Sequence, residues 1–335
     1  MNPLTIANPP NWNEATQALQ TAQSILLVTH IAPDGDAIGS LLGLGSILRQ
    51  MGKTVTCAVD DTVSTELLFL PGVEAILHKL KTGKWDLLIS LDASDEERTG
   101  AVGEYGRKNS KRVINLDHHL TNTLFGDIFL IEPQAVSATE VIFHWLQFMD
   151  VPLTREIAVT LLTGLVTDTL GFRTSNVTVD TLEIAQILMQ AGASLTEITE
   201  RALESRSFAT VNLWKLALSS VQLYAGGVIA LDITQENLKQ AGLPNGAEDT
   251  GLVGFLIRVN EAKIAAVLKE KATGEIVLGL RSKPGFDVSE VAFSLGGGGH
   301  KQAAGATIPG PLEEAKKRVL PLLEEAASKG KLVIG

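Results

Sequence analysis

The chain is 335 residues long, 45% hydrophobic and 20% charged, and its 28 Lys and Arg against 38 Asp and Glu give a net charge of −10. At roughly 100 to 200 residues per domain this length predicts two soluble globular domains; no stretch reaches the roughly 18 apolar residues of a membrane span, and the opening MNPLTIANPPNWNEA lacks the basic-then-apolar order of a secretory signal, so we expect a cytoplasmic protein with no membrane partner. The single cysteine, Cys57, excludes an intrachain disulfide and a thiolate-rich zinc site, and the lack of any basic run disfavours binding of long nucleic acid, so a phosphate ligand should be small or met by metal ions and a few placed cations.

Residues 25–29 read as a short buried strand, 37–51 as a helix stopped by Gly52, and 54–59 as a second strand. Strand, helix, strand implies a parallel sheet. Further strands are expected at 86–91, 112–116 and 128–131, the first two running directly into acids, Asp92 and Asp117. Helical patterns occupy 137–149, with Ser137 as N-cap and Glu140 three residues on, then 154–166 and 179–191. From Gly192 to about residue 221 the pattern is helical without an evident strand. A second α/β stretch carries strands at 227–233, 262–270 and 275–281, helices at 235–241, 249–257 and 287–293, a glycine-rich loop at 296–299 and a closing helix at 311–327. The predicted class is α/β: a parallel-sheet domain over 1–192, a helical linker over 193–221, and a smaller α/β domain over 222–335.

The chemistry gathers at strand ends. In open parallel sheets the ligand crevice lies beyond the carboxyl ends of the strands. His30, Asp34 and Asp36 follow one strand, Asp92 another, and Asp117, His118 and His119 a third, while Asp168 ends a helical pattern that can reach the same crevice. Carboxylates so crowded raise one another's pKa unless cations sit between them. Imidazole and carboxylate donors without thiolate suit Mn²⁺ or Mg²⁺, and also Zn²⁺ or Fe²⁺, and the donors suffice for two ions. Taken singly, an acid after a strand is more often a turn or cap residue, as Leu231-Asp232 illustrates. Arg98 reads either as a phosphate contact or as a surface arginine, Asp95 lies close enough to Asp92 to support it, and His78 and His144 read as ordinary residues without a ligand set. In the second domain the glycines of 296–299 would let backbone N–H groups approach a phosphate or base, with Arg281 and His300 supplying further contacts.

His30-x-x-x-Asp34-x-Asp36, Asp92, Asp117-His118-His119 and Asp168 resemble, in order and spacing, the four motifs of the DHH phosphoesterase superfamily. Gly296-Gly297-Gly298-Gly299-His300-x-x-Ala303-Ala304-Gly305, with Arg281-Ser282 before it, resembles the DHH-associated substrate-binding domain. Size and layout are similar to the bifunctional oligoribonuclease (nanoRNase) and pAp phosphatase group. The resemblance implies one ion, most often Mn²⁺, held by His30, Asp34 and Asp92, and a second held by Asp36, Asp92, His118 and Asp168. Asp92 bridges the two, His119 faces the substrate phosphate, and Asp117 orients the histidines. Arg98, Arg281, Gly297, Gly298, Gly299 and His300 would contact substrate. Two cations would offset phosphoryl charge and activate water for in-line attack. The substrates implied are short RNA oligonucleotides of two to about four nucleotides, since a pocket of ordinary size holds no more, and 3′-phosphoadenosine 5′-phosphate (pAp); a homodimer is also implied. A cyclic di-AMP or linear pApA phosphodiesterase would use the same motifs. A manganese pyrophosphatase would be expected to carry an Arg-Lys-Lys type motif in place of 296–300, a long single-strand exonuclease conflicts with the acidic balance, and a nucleotide sensor without turnover could dispense with ligands that this sequence retains.

Overall fold

The computed structural model describes residues 10–243 and 251–331. The chain divides into two compact units, Met1–Ser205 and Arg206–Gly335.

In the first unit, α1 (Trp12–Thr21) starts at Asn11, whose side chain accepts the Glu14 N–H at 3.2 Å. This helix was not expected, although an Asn cap with Glu three residues on is an N-terminal signature. There follow β1 (Ser24–Val28), α2 (Gly35–Gln50), β2 (Thr54–Ala58), β3 (Leu87–Leu91), α3 (Gly100–Asn109), β4 (Val113–Asp117) and β5 (Ile128–Ile131). The helices α4 (Ala138–Phe148), α5 (Arg155–Asp168), α6 (Val179–Gln190) and α7 (Leu195–Ile198) complete the unit. The strands are all parallel, in the order β2-β1-β3-β4-β5. Helix α3 also escaped the sequence reading. Gly100, Gly103 and Gly106 depress its helix propensity, yet a Cβ at Gly106 would sit 2.5 Å from Leu26 and 2.6 Å from Leu88.

Strand order reverses between β1 and β3, which opens a crevice at their carboxyl ends. The floor of that crevice is the core under α2 and α5, where Ile38, Leu41, Leu44, Leu161 and Leu165 are buried with Trp145. Each such side chain contributes about 1.5–3 kcal/mol of burial. Helices α2 and α5 cross closely because Gly39 faces Gly164: a Cβ on Gly39 would lie 2.6 Å from the Thr160 carbonyl oxygen.

The stretch expected to be a linker, 193–221, divides between the units. Ile198 is buried in the first core, whereas Leu213 and Ala217 of α8 (Phe208–Ala217) are buried in the second.

The second unit continues with β6 (Gln222–Tyr224), β7 (Val228–Ile233), α9 (Gln235–Gln240), α10 (Leu252–Leu256), β8 (Ile264–Glu270), β9 (Glu275–Ser282), α11 (Ser289–Ser294), β10 (Gly298–His300), β11 (Ala303–Pro309) and α12 (Leu312–Lys329). Of the helix expected at 249–257, Asp249 and Thr250 lie outside the described residues. The sheet order is β10-β11-β9-β8-β7-β6, with β7 and β8 parallel and the other pairs antiparallel. Alternate residues of β8 feed two cores, Ile264, Ala266 and Leu268 on one face and Ala265 and Val267 on the other. The glycine-rich loop expected at 296–299 is corrected in part: Gly298 and Gly299 belong to an edge strand, β10, hairpinned onto β11, while Gly296 and Gly297 precede it. Among the described residues, no helix is long and apolar enough to cross a membrane.

Candidate metal centre

The strand and helix ends of the first unit converge on Asp92. It is the first residue past β3, its N–H donates to the Leu116 carbonyl at 3.0 Å, and it takes a left-handed backbone conformation (φ 55°) that Asp tolerates better than most residues. Its carboxylate is 2% exposed and splits between two clusters. Oδ2 lies 3.5 Å from His30 Nε2, and Oδ1 lies 3.5 Å from both His118 Nε2 and His119 Nδ1.

Around each oxygen the donors group. Potential ligand atoms of His30, Asp34 and Asp92 all lie within 4.8 Å of one another, as do those of Asp36, His118 and Asp168. His118 Nε2 is 3.5 Å from Asp168 Oδ2 and 3.9 Å from Asp36 Oδ2, and His30 Nε2 is 3.9 Å from Asp34 Oδ1.

The acids are held by helix starts. Asp34 is the N-cap of α2, its Oδ1 accepting the N–H groups of Asp36 and Ala37 at 3.1 and 3.0 Å. Asp36 reaches to α4 and accepts the N–H groups of Ala138 at 2.6 Å and Thr139 at 3.0 Å. Asp168 is the last residue of α5, brought towards Asp36 by the close α2–α5 crossing. None of these glycine contacts was foreseen from the sequence.

The imidazoles are oriented through their other nitrogens. His30 Nδ1 lies 2.8 Å from the Ile31 carbonyl and His118 Nδ1 3.3 Å from the Ala135 carbonyl. A carbonyl only accepts, so both Nδ1 atoms carry hydrogen, and both Nε2 lone pairs face carboxylates. Two acceptors facing each other need a proton or a cation between them. The metal-free electrostatics record that need. Burial and the charges of Asp92 and Asp168 push Asp36 well above the ordinary carboxylate range. Burial, with Asp92 and Asp34 adding to it, pushes Asp168 up to about 7. Burial disfavours a charged His118, but Asp92, Asp36 and Asp168 outweigh it and raise the ring to about 10. Burial likewise opposes an ionised Asp92, but His118 and His30 hold it well below the usual range.

A bound cation fits this site on a separate observation: Asp92 Oδ1 is buried and has no hydrogen-bond partner. An orphaned carboxylate oxygen at the meeting point of imidazole and carboxylate donors suits a hard or borderline divalent ion.

Asp117 plays a narrower part than expected. Its Oδ1 accepts from the His119 ring Nδ1 at 2.7 Å and from the His118 backbone N–H at 2.8 Å, so it orients the ring of His119 but not that of His118. Asn122, which the sequence reading passed over, donates to Asp117 Oδ2 at 2.6 Å. Burial opposes a charged His119, yet Asp117 and Asp92 raise its pKa. Arg98 is half-buried beside the centre, with Nη2 3.3 Å from His30 Nδ1; a guanidinium only donates and that nitrogen already carries hydrogen for Ile31, so the approach is a contact and not a hydrogen bond. Asp95 caps the turn below it, accepting the Arg98 N–H at 2.9 Å, and shows no bond to Asp92. Asp232 of the second unit, offered as an acid after a strand, lies inside β7 and pairs with Lys316 at 2.8 Å.

The second unit carries its own polar row. Register places His300 opposite Ala303 and Ala303 opposite Arg281, so His300 and Arg281 share a face, about 10 Å apart across two strand spacings. Gly299 (φ 137°) is required by the hairpin itself, since a Cβ would lie 2.5 Å from the Ala303 carbonyl oxygen, and Gly297 packs as closely on Gly305. Gly298 alone of the three has open space where a Cβ would stand.

The sequence matches the DHH family, N-terminal domain, over residues 24–165 and the DHHA1 domain over residues 230–329. A Thermus thermophilus protein named bifunctional oligoribonuclease and PAP phosphatase NrnA is 35% identical over 309 residues, covering 91% of this chain and 90% of that protein. The crystal structure of an exopolyphosphatase-related protein from Bacteroides fragilis is similar with a TM-score of 0.87 at 26% identity, covering 95% of this chain and 96% of that one. RecJ from Thermus thermophilus in complex with Mn²⁺ shares the fold with a TM-score of 0.54 at 15% identity, covering 98% of this chain and 56% of that one.

Proposed function

The chain belongs to the DHH family of phosphoesterases, and from that premise we propose that it hydrolyses very short oligoribonucleotides to mononucleotides and removes the 3′-phosphate of pAp in the cytoplasm. The observation that carries this reading is the pair of ligand clusters meeting at the two oxygens of Asp92. The name of the 35% identical relative supplies the substrate class.

In this reading His30, Asp34 and Asp92 hold one divalent ion and Asp36, Asp92, His118 and Asp168 the other, manganese being the ion that the family resemblance implies. Such ions supply Lewis-acid charge neutralisation at the phosphate and a nucleophile at neutral pH. The remaining work falls to side chains. Asp117 fixes the His119 ring through Nδ1, leaving Nε2 for the substrate. Asp117 and Asp92 raise the pKa of that ring against burial, which favours a proton at Nε2 that can be donated to a phosphoryl or leaving oxygen. In the first unit Arg98, beside His30, contacts phosphate; in the second, Arg281, the backbone of Gly298 and Gly299, and His300 offer nucleotide contacts, while the Gly297 N–H is taken by the Ala292 carbonyl.

The test is one assay on purified protein with Mn²⁺, offering pApA, a five-nucleotide RNA, pAp, cyclic di-AMP and pyrophosphate side by side. Turnover of pApA and pAp is expected. Turnover of cyclic di-AMP alone, of pyrophosphate alone, or of nothing would refute the reading, and so would full activity in excess chelator.

A further inference from the structure

We propose that Glu140 is a positioning residue for the metal centre, acting through the turn at residues 135–139; this rests on the reading of the centre as a metal site. That turn touches two members of one ligand cluster. The Ala135 carbonyl receives the His118 Nδ1–H, and the N–H groups of Ala138 and Thr139 hold the Asp36 carboxylate. A shift of the turn therefore moves an imidazole and a carboxylate together.

What fixes the turn is a buried acid outside the ligand set. Glu140 is 5% exposed, and its Oε2 accepts the Val136 N–H at 2.9 Å. Ser137 caps α4 by accepting the Glu140 N–H at 3.1 Å. In an ordinary capping box the Glu carboxylate would return to the N–H of the cap residue itself. Here it reaches one residue further, out of the helix and onto the peptide between Ala135 and Val136, the peptide whose carbonyl orients His118. The other Glu140 oxygen lies 4.0 Å from His144 Nε2, and His144 Nδ1 is 2.6 Å from Glu132 Oε2. Glu132 closes the loop, because its carbonyl accepts the Ala135 N–H and its own N–H donates to the Asp117 carbonyl, both at 3.0 Å. His144, which the sequence presents as an ordinary residue, thus braces Glu140 against the strand that delivers His118. A position needing only packing would hold an apolar side chain, since burying a carboxylate costs solvation that a hydrogen bond must offset.

The experiment measures Mn²⁺ affinity by titration calorimetry on the full chain for the wild type, Glu140→Ala, Glu140→Asp and Glu140→Gln, with kcat and KM on pApA and the metal-free melting temperature alongside. Glu140→Ala, and Glu140→Asp with its shortened reach, should weaken Mn²⁺ binding about 10–100-fold, while Glu140→Gln, whose amide oxygen still accepts the Val136 N–H, should stay within about threefold of wild type. The loss should fall on kcat, with KM changed by no more than about twofold. Wild-type Mn²⁺ affinity in Glu140→Ala or Glu140→Asp overturns the proposal, as does a Gln variant as weak as Ala. Should Glu140→Ala fail to fold, the Asp and Gln variants decide alone. A wild-type protein that binds no Mn²⁺ overturns the metal reading and the proposal with it, whereas wild-type binding with an unaffected Glu140 series overturns the proposal only.

Discussion

Gly39→Ala sets two physical effects against each other. Helix propensity alone favours alanine inside α2 by about 1 kcal/mol. Packing opposes it, because the new Cβ would stand 2.6 Å from the Thr160 carbonyl oxygen and 3.1 Å from the Gly164 nitrogen. Both obstacles are backbone of α5, so no side chain can swing aside. Restoring ordinary contact at 3.4 Å opens the crossing by about 0.8 Å, and overpacking of this kind costs about 1–3 kcal/mol, at the upper end where backbone must move. The net is a destabilisation of about 1–2 kcal/mol, or a fall of about 2–8 °C in the first unit's melting temperature. Because Asp36 rides on α2 and Asp168 ends α5, the same opening separates two donors of one cluster, and a displacement near 1 Å can cost up to about 100-fold in rate. Differential scanning calorimetry and kcat/KM on pApA read the two consequences. A raised melting temperature with unchanged kcat/KM would show that propensity wins and that the crossing does not position the ligands.

Asp92→Asn keeps the shape and removes the shared charge. At an effective dielectric of about 20 and about 4 Å that charge is worth about 4 kcal/mol per unit of cation charge, or about 8 kcal/mol to each divalent ion, so activity and Mn²⁺ affinity should each drop at least about a thousandfold, and a drop under tenfold in calorimetry would refute a bridging role. For pH, the sign follows from Asp168 and His118, both raised in the folded state. Asp168 contributes stability that is full below its ordinary value of 3.8 and is lost as pH rises through about 7, and His118 contributes stability that is full below 6.5 and is lost towards about 10. The chelator-treated protein should therefore melt lower at pH 8 than at pH 6 on their account, and the melting-temperature gain on adding Mn²⁺ should widen over that interval; a gain that narrows contradicts the assignment. Catalytic efficiency should be highest for RNAs of two to about four nucleotides and fall with length, with a shallow salt dependence, since a chain of net charge −10 gains little counterion release from a longer strand. Values of kcat/KM that rise with length at two salt concentrations would point to a processive exonuclease.

The parallel sheet was legible because its strands are short apolar runs, β3 and β4 running straight into acids, and β1, β3 and β4 lie within a residue or so of where the pattern puts them. The convergence of His30, Asp92 and His118 was legible from the same fact, given that parallel strands share one carboxyl edge. Three features were not. Helix α3 is interrupted by three glycines and strands β10 and β11 are built largely from glycine and alanine, and the space at Gly106 is set by its neighbours Leu26 and Leu88 and not by local preference. The α2–α5 crossing depends on Gly39 meeting Gly164 across 125 positions of chain, a long-range pairing that no local periodicity carries. The role of Glu140 is hidden by its resemblance to a capping-box residue, since a bond to Val136 and a bond to Ser137 have the same sequence signature.

The stretch from His30 to Asp36, together with Asp92 and Asp168, shows how four carboxylates can be packed before any cation arrives. Asp34 spends its charge on the first N–H groups of α2, and Asp36 on those of α4, so two helix starts, each with its partial positive charge, point into the cluster. Asp92 is neutralised instead by the imidazoles of His30 and His118. Asp168 has no helix start of its own, because it sits at the carboxyl end of α5, where the dipole disfavours an anion. It is pushed up to about 7, by burial first and by Asp92 and Asp34 after it, just as burial with Asp92 and Asp168 raises Asp36 in spite of its helix start. Backbone N–H groups thus hold Asp34 and Asp36, while Asp168, 3.5 Å from the His118 ring, and the unbonded oxygen of Asp92 are left for a ligand. A divalent ion answers both deficits at once, releasing the protons that Asp168 and His118 hold in its absence, and this is why metal affinity and pH should be coupled most strongly near neutrality.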